Sequence, residues 1–109
     1  MTRLLKALGD ETRLRMVALL AHGELCVCHL ESALELSQPT ASRHLAVLRA
    51  AGVVDSRREG TWVHYKLARQ ADPDCKGLMR SLASGFARRH LLRQDLERVL
   101  RKKGPGSCR

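Results

Sequence analysis

Two cysteines one residue apart, Cys26 and Cys28, are the side chains of this 109-residue chain whose type and spacing best suit binding chemistry. They lie in ELCVCHLESAL, ahead of an apolar run with helical spacing. Residues i and i+2 share a face in an extended segment but lie about 200° apart on a helix. Two thiolates can therefore bind one ion only if at least one cysteine lies outside regular helix. We expect a helix to begin near Val27, with Cys26 extended and Cys28 in the first turn.

The chemistry that such a pair supports is the binding of a soft ion. Thiolates prefer soft metal ions and metalloids over Mg²⁺ or Ca²⁺. Free cysteine is also among the most buried residue types, so two structural core residues are the alternative interpretation. Two cysteines at chelating spacing favour the ligand interpretation.

The charge of the chain limits the class of partner. Lys and Arg number 20 against 11 Asp and Glu, a formal net charge of +9. Such an excess favours polyanions, with DNA, RNA and anionic membrane as candidates. No apolar stretch approaches the roughly 20 residues needed to span a bilayer. The charged start MTRLLKALGDETR lacks the apolar centre of a signal peptide. We expect a cytoplasmic protein with no membrane partner.

Capping residues, among them Asp10 before the second helix and Ser37 before the fourth, and glycines divide the chain into helices and one hairpin. We expect one domain over residues 1–103 and a disordered tail over residues 104–109. The predicted helices cover TRLLKAL, ETRLRMVALLAH, a short stretch to about Leu34, QPTASRHLAVLRAA, and a long final helix with a bend expected near Gly85. VVDSRR and TWVHYKL flank Gly60 as a β-hairpin. This order predicts a mainly α fold with a small β-hairpin wing, the winged helix-turn-helix.

The fourth predicted helix has the composition of a helix that enters the DNA major groove. Ala41, Leu45 and Leu48 share its inward face, and polar residues occupy the N-terminal half of the opposite face. Candidate contacts to bases and phosphates are Gln38, Thr40, Ser42, Arg43 and His44, with Arg57 and Arg58 in the hairpin. The alternatives are an ordinary exposed amphipathic helix and a solvated arginine pair. The helix, the basic hairpin and the net charge together favour double-stranded DNA over RNA, for which no aromatic stacking surface is visible.

The first and last helices have more apolar residues than a core of this size can absorb. We therefore predict a symmetric homodimer through these two helices, with two recognition helices about 34 Å apart on a near-palindromic operator. The predicted interface residues are Leu4, Leu5, Leu8, Leu82, Phe86 and Leu92. A monomer with a compact helical core is the alternative.

Four stretches in this order, ALGDETRLRMVALL, ELCVCHLESAL, LSQPTASRHLAVLRAAGVV and SRREGTWVHYKL, resemble the ArsR/SmtB family of metal-responsive repressors. The resemblance covers residues 5–67 and extends more loosely into the final helix. It implies a dimeric winged-helix repressor that leaves its operator when an inducer binds. ELCVC followed by HL is most similar to the arsenic-, antimony-, cadmium- and lead-responsive branches. The resemblance thus implies that Cys26 and Cys28 bind trivalent arsenic or antimony as an inducer, with no permanently bound cofactor.

The chain departs from the arsenic-responsive pattern at one position. That pattern has a third cysteine three residues after the second, where this chain has Glu31. Trivalent inorganic arsenic prefers three thiolates, and a carboxylate is a hard ligand. Cys108 or Cys75 is then a candidate third ligand. Alternatively, the inducer is a mono-organic arsenical that needs two thiolates, or water or another ligand completes the site.

Four other functions are alternatives to this one. A cadmium- or lead-responsive repressor of the same family would have further cysteines before Cys26, and this chain has none there. A redox- or persulfide-responsive repressor would need Cys75 or Cys108 as a partner, because an i, i+2 disulfide is strained. A thiol enzyme is disfavoured, because no Cys-x-x-Cys and no His/Asp constellation is visible, so we expect no catalysis. A constitutive architectural protein would bind DNA without sequence preference.

Overall fold

A computed structural model describes residues 1–86 and 89–102 of the chain. The elements in chain order are α1 (Thr2–Leu8), α2 (Glu11–Leu20), β1 (Leu25–Cys26), α3 (Val27–Leu34), α4 (Gln38–Ala50), β2 (Val54–Glu59), β3 (Trp62–Leu67), α5 (Pro73–Phe86) and α6 (His90–Lys102). The helices α3 and α4 are followed directly by the β2–β3 hairpin. The predicted winged helix-turn-helix is therefore confirmed. None of the described helices is long and apolar enough to cross a membrane.

The starts of α2 and α4 are set by side-chain caps, as the sequence predicts. The carboxylate of Asp10 accepts a hydrogen bond from the backbone N–H of Arg13, and the hydroxyl of Ser37 accepts one from the N–H of Thr40. Each cap satisfies a backbone donor that the first helical turn leaves without a partner. Between α3 and α4, Glu35 has a left-handed backbone with φ 55°. This residue turns the chain sharply enough to set α4 against α3.

The sheet has one strand more than the sequence predicts. Its order is β1-β3-β2, with both pairs antiparallel. The hairpin turns at Gly60, whose φ of 62° suits glycine. The two-residue strand β1 pairs with β3, so that Leu25 faces Tyr65 and Cys26 faces His64. Such a short strand has no periodic pattern of its own, and only its pairing with β3 defines it.

The single long final helix predicted from the sequence is wrong, because two helices occupy this segment. The first, α5, ends at Phe86, and α6 begins at His90. Besides the buried residues Leu92 and Val99, two polar contacts join α6 to the rest of the domain. Arg15 in α2 forms an ion pair with Asp95 in α6, and Arg98 donates a hydrogen bond to the carbonyl of Ala33 in α3. A straight continuation of α5 would forgo both contacts. The predicted tail, residues 104–109, lies outside the described residues.

The core is aliphatic, as expected from a chain with three aromatic residues. Met16, Leu19, Leu30, Leu45 and Leu48 are each at most 1% exposed. The inward face predicted for α4 is confirmed, because Ala41, Leu45 and Leu48 are fully buried. These residues anchor α4 and leave its opposite face to solvent.

The six residues predicted for a dimer interface do not share one environment. Four of them, Leu4, Leu8, Phe86 and Leu92, are at most 8% exposed within a single subunit. They belong to its own core cluster and have little area left for a partner. Leu5 is 50% exposed and Leu82 is half-buried. The structure thus narrows the candidate interface residues to these two and moves the other four into the core.

Candidate functional site

Cys26 and Cys28 come together where β1 passes into α3. Cys26 has an extended backbone (φ −70°, ψ 148°) and is the N-cap residue of α3, while Cys28 lies in the first turn. The predicted backbone arrangement of the pair is confirmed. The two Sγ atoms are 3.3 Å apart. Cys26 is buried and Cys28 is half-buried.

The separation of the sulfurs limits the coordination geometry that the pair can offer. Two sulfurs 3.3 Å apart, each bonded at roughly 2.3 Å to a shared atom, subtend about 90° at that atom. A tetrahedral ion would require a wider angle. An angle of about 90° matches a pyramidal arrangement of bonds at the shared atom.

The described residues supply no third ligand beside the pair. Across residues 1–86 and 89–102, no three His, Cys, Asp or Glu side chains form a group that could hold a metal ion. Cys75, a candidate from the sequence, is buried at the start of α5 and does not complete such a group with the pair. Glu31 does not complete one either. The other candidate, Cys108, lies outside the described residues.

The exposed face of α4 holds the polar residues predicted to contact DNA. Gln38 and Arg43 are exposed, whereas Thr40 and Ser42 are half-buried. The amide of Gln38 donates a hydrogen bond to the hydroxyl of Ser42 (2.8 Å). Thr40 is held 3.0 Å from the hydroxyl of Ser37. These contacts hold the side chains in place at the N-terminal half of the helix.

His44 lies in a different environment from the other predicted contacts. It is half-buried, with Nδ1 3.3 Å from a guanidinium nitrogen of Arg13 and 4.0 Å from the carboxylate of Asp10. The Arg13 side chain also donates to the carbonyl of Ala7 (2.6 Å). His44 thus joins α4 to the start of α2, and its position is that of a packing residue at the edge of the exposed face of α4.

The two arginines predicted for the wing differ in their partners. Arg57 is paired with Glu24 and Glu59, and its NH2 lies 2.6 Å from the Glu24 carboxylate. These hydrogen bonds lower the pKa values of both carboxyls and raise that of Arg57. Arg58 is exposed. The role of Glu24 escaped sequence reasoning, because the two-residue strand β1 that brings Glu24 to the wing was not predicted.

The sequence of this chain matches a family of known regulatory proteins. Residues 10–56 match the family model described as bacterial regulatory protein, arsR family. The arsenic resistance transcriptional regulator ArsR1 of Pseudomonas putida is 62% identical over 57% of this chain and 49% of its own length. The arsenical resistance operon repressor of Escherichia coli is 57% identical over 61% of this chain and 57% of its own length. The chain therefore spans about half the length of these curated relatives.

Solved structures extend the likeness over more of the chain. HlyU from Vibrio cholerae superposes with a TM-score of 0.69 and 38% identity, over 79% of this chain and 90% of that structure. A homodimeric winged helix-turn-helix DNA-binding domain from Mycobacterium bovis, described as a possible ArsR-family regulator, gives a TM-score of 0.64 and 34% identity over 77% of this chain and 78% of that structure. Both comparisons cover most of each structure.

Proposed function

Because the chain belongs to the ArsR family of bacterial regulatory proteins, we propose that it is a transcriptional repressor released from its operator by trivalent arsenic or antimony. It binds a near-palindromic operator as a homodimer through α1 and through α5, which forms the first part of the segment predicted as the last helix. One observation supports the inducer above all others: two cysteine sulfurs lie 3.3 Å apart at the start of α3, the helix that precedes the predicted recognition helix.

The surface of α4 supports the DNA-binding half of the proposal. Gln38, Ser42 and Arg43 lie toward its N-terminal end, where side chains of a recognition helix contact base edges. Backbone N–H groups of the first turn favour a phosphate nearby. The net charge of +9 adds an attraction to DNA that is independent of sequence.

The cysteine pair supports a metalloid as the inducer. A soft trivalent ion binds thiolates in preference to oxygen ligands, and the angle of about 90° at a shared atom suits its pyramidal geometry. Inorganic arsenite or antimonite requires one more ligand than the pair supplies. A mono-organic arsenical requires only these two thiolates, and it is the second candidate inducer on the same observation.

The chain path from the pair to α4 explains how binding would reach DNA. An atom bridging Cys26 and Cys28 ties the end of β1 to the first turn of α3. Helix α3 leads through Glu35 directly to the cap of α4, so a shift in α3 changes the setting of the recognition helix. By thermodynamic linkage, DNA binding and inducer binding weaken each other by the same factor. A coupling free energy of about 3 kcal/mol corresponds to a roughly 150-fold change in affinity.

The decisive test is release of operator DNA by a variant without the pair. A duplex selected by the protein from a random pool serves as the operator. Arsenite should lower the affinity of the wild-type protein by up to roughly 150-fold. Cys26→Ser/Cys28→Ser should retain DNA binding and lose the response, as measured by fluorescence anisotropy. Cys75→Ser is the matched control for a buried cysteine outside the pair and should keep the response.

A panel of inducers would distinguish the candidate ligands. Arsenite, a methylarsenical, antimonite, cadmium, lead, zinc and persulfide are each added to the preformed complex. Release by trivalent arsenic or antimony supports the proposal, and release by the methylarsenical alone identifies a two-thiolate inducer. Release of the double variant by arsenite, or release of the wild type by persulfide alone, would contradict the assignment.

A further inference from the structure

We infer that Glu24 couples the cysteine pair to the wing. Its carboxylate binds the Arg57 guanidinium where a DNA phosphate would otherwise bind, and a ligand on the cysteine pair keeps the carboxylate in that position. The inference rests on the proposed function, because it concerns how the inducer lowers DNA affinity. Arg57 was predicted from the sequence to contact DNA. In the structure its side chain is already bound to carboxylates.

The contacts of Arg57 use the same donors that a phosphate would need. Its Nε lies 3.0 Å from both oxygens of Glu24, and its NH2 lies 2.6 Å from one of them. Its NH1 donates to Glu59 at 2.8 Å. All three guanidinium nitrogens therefore face carboxylates. A forked pair of this kind has the geometry with which arginine binds phosphate, so carboxylate and phosphate compete for one surface of Arg57.

As long as Glu24 and Glu59 are bound to Arg57, the charge of these three side chains repels DNA. One guanidinium between two carboxylates gives these three side chains a net charge of −1, which offsets the positive charges of Arg58 and Lys66 on a wing expected to approach a polyanion. The side chains of Arg57, Glu24 and Glu59 keep 51%, 30% and 69% of their exposure. Ion pairs so open to water are weak, so a phosphate can displace Glu24 at little cost.

The strand register connects this cluster to the cysteines. Cys26 of β1 faces His64 of β3, and His64 faces Arg57 of β2. Cys26 and Arg57 thus lie in one row across the sheet, on either side of His64. Glu24 directly precedes β1 and is two residues from Cys26. Glu59 lies instead at the hairpin end of β2, opposite Trp62, away from β1.

Ligand binding should therefore keep Glu24 bound to Arg57, whereas DNA binding should separate the two side chains. The strand β1 has two residues, which pair with β3 and are buried, whereas Glu24 directly before it is half-buried. A ligand that joins Cys26 to Cys28 anchors β1 to α3 and keeps Glu24 beside Arg57. DNA requires Arg57 to leave Glu24. Any contact that one ligand favours and the other disrupts contributes to the coupling between them.

The test compares Glu24→Gln with Glu59→Gln, two variants that remove the same charge from the same arginine. Operator affinity is measured against salt, with and without arsenite, on the selected duplex. Glu24→Gln should raise operator affinity about two- to fivefold. It should also steepen the dependence of log K on log salt by about 0.9 per wing, because Arg57 gains a phosphate. The arsenite-induced loss of affinity should shrink several-fold.

Glu59→Gln should raise affinity through charge alone and keep the full arsenite response. The arsenite affinity of the free protein should stay within about twofold in both variants, which shows that the cysteine site is intact. Equal arsenite responses in the two variants, or an unchanged salt dependence in Glu24→Gln, would overturn the inference while leaving the repressor function in place. A wild-type protein that selects no duplex would overturn both.

Discussion

At the scale of single residues, the Arg15–Asp95 pair stands apart from the other ion pairs. Asp95 is 0% exposed, and both of its carboxylate oxygens accept hydrogen bonds from Arg15, at 2.7 and 2.8 Å. The bond to Asp95 raises the pKa of Arg15. The Arg15 side chain keeps 20% of its exposure. A buried carboxylate that loses its partner is costly, so this pair holds α6 against α2.

The two partners should differ in how much their removal costs. Arg15→Met leaves a buried carboxylate without its cation and should lower the free energy of unfolding by about 3–5 kcal/mol. Asp95→Asn keeps an acceptor for Arg15, whose head group can also turn to water, and should cost about 1–2 kcal/mol. Urea unfolding of both variants measures the difference. Equal costs would show that Asp95 is solvated in solution.

At the scale of elements, the start of α2 combines a helix cap with a contact to α4. Asp10 accepts the N–H of Arg13 at 3.0 Å and lies 4.0 Å from His44. The pKa of Asp10 is lowered, first by this backbone hydrogen bond and then by the charge of Arg13, against an opposing effect of desolvation. A carboxyl whose pKa is lower in the folded than in the unfolded protein stabilises the fold at pH values above its unfolded pKa, which is near 4. That contribution is lost as the pH falls through the folded value.

Two substitutions of Asp10 should distinguish how much its capping hydrogen bond and its charge each contribute to the free energy of unfolding. Asp10→Ala should lower the free energy of unfolding at pH 7 by about 1 kcal/mol, because the N–H of Arg13 loses its acceptor. Asp10→Asn retains a capping oxygen and should cost less at pH 7. It should also flatten the decline in stability between pH 5 and the folded pKa. Urea unfolding across this pH range is the measurement, and a wild-type acid dependence in Asp10→Asn would contradict the assignment.

At the scale of the whole molecule, α5 has few buried residues within a single subunit. Of its 14 residues, the structure buries Cys75 and Phe86. Leu78, Met79 and Leu82 are partly exposed along the same helix. An open groove of about 760 Å³ runs between α2, α5 and α6 beside Leu82. An apolar helix face of this kind, together with the exposed Leu5 of α1, fits the proposed symmetric dimer.

Charge placed on this face should weaken the dimer. Leu5→Arg should raise the dimer dissociation constant at least tenfold, because an arginine replaces an apolar contact at a symmetric interface and is buried twice. Leu100 on α6 is 63% exposed and lies outside the predicted interface, so Leu100→Arg is the control. Sedimentation velocity over a concentration series compares them. Identical dissociation constants for wild type and Leu5→Arg would exclude Leu5 from the interface.

Local sequence was sufficient for features whose causes lie within a few residues. The caps at Asp10 and Ser37 and the change from extended backbone to helix between Cys26 and Val27 were all predicted correctly. Each depends on hydrogen bonds or backbone geometry inside one turn. The buried face of α4 was predicted from the helical spacing of its apolar residues, which is also a local property of the sequence. The arrangement of the cysteine pair could therefore be predicted before any tertiary contact was known.

Tertiary structure alone decided the features that join distant parts of the chain. Arg57 reaches Glu24 across 33 residues, and Arg15 reaches Asp95 across 80. The sequence showed Arg57 as a free cation and the last segment as one helix, because charge and periodicity are properties of neighbouring residues. Strand β1 exists only through its pairing with β3. Pairing between remote segments depends on how helices and strands pack, and no local pattern encodes it.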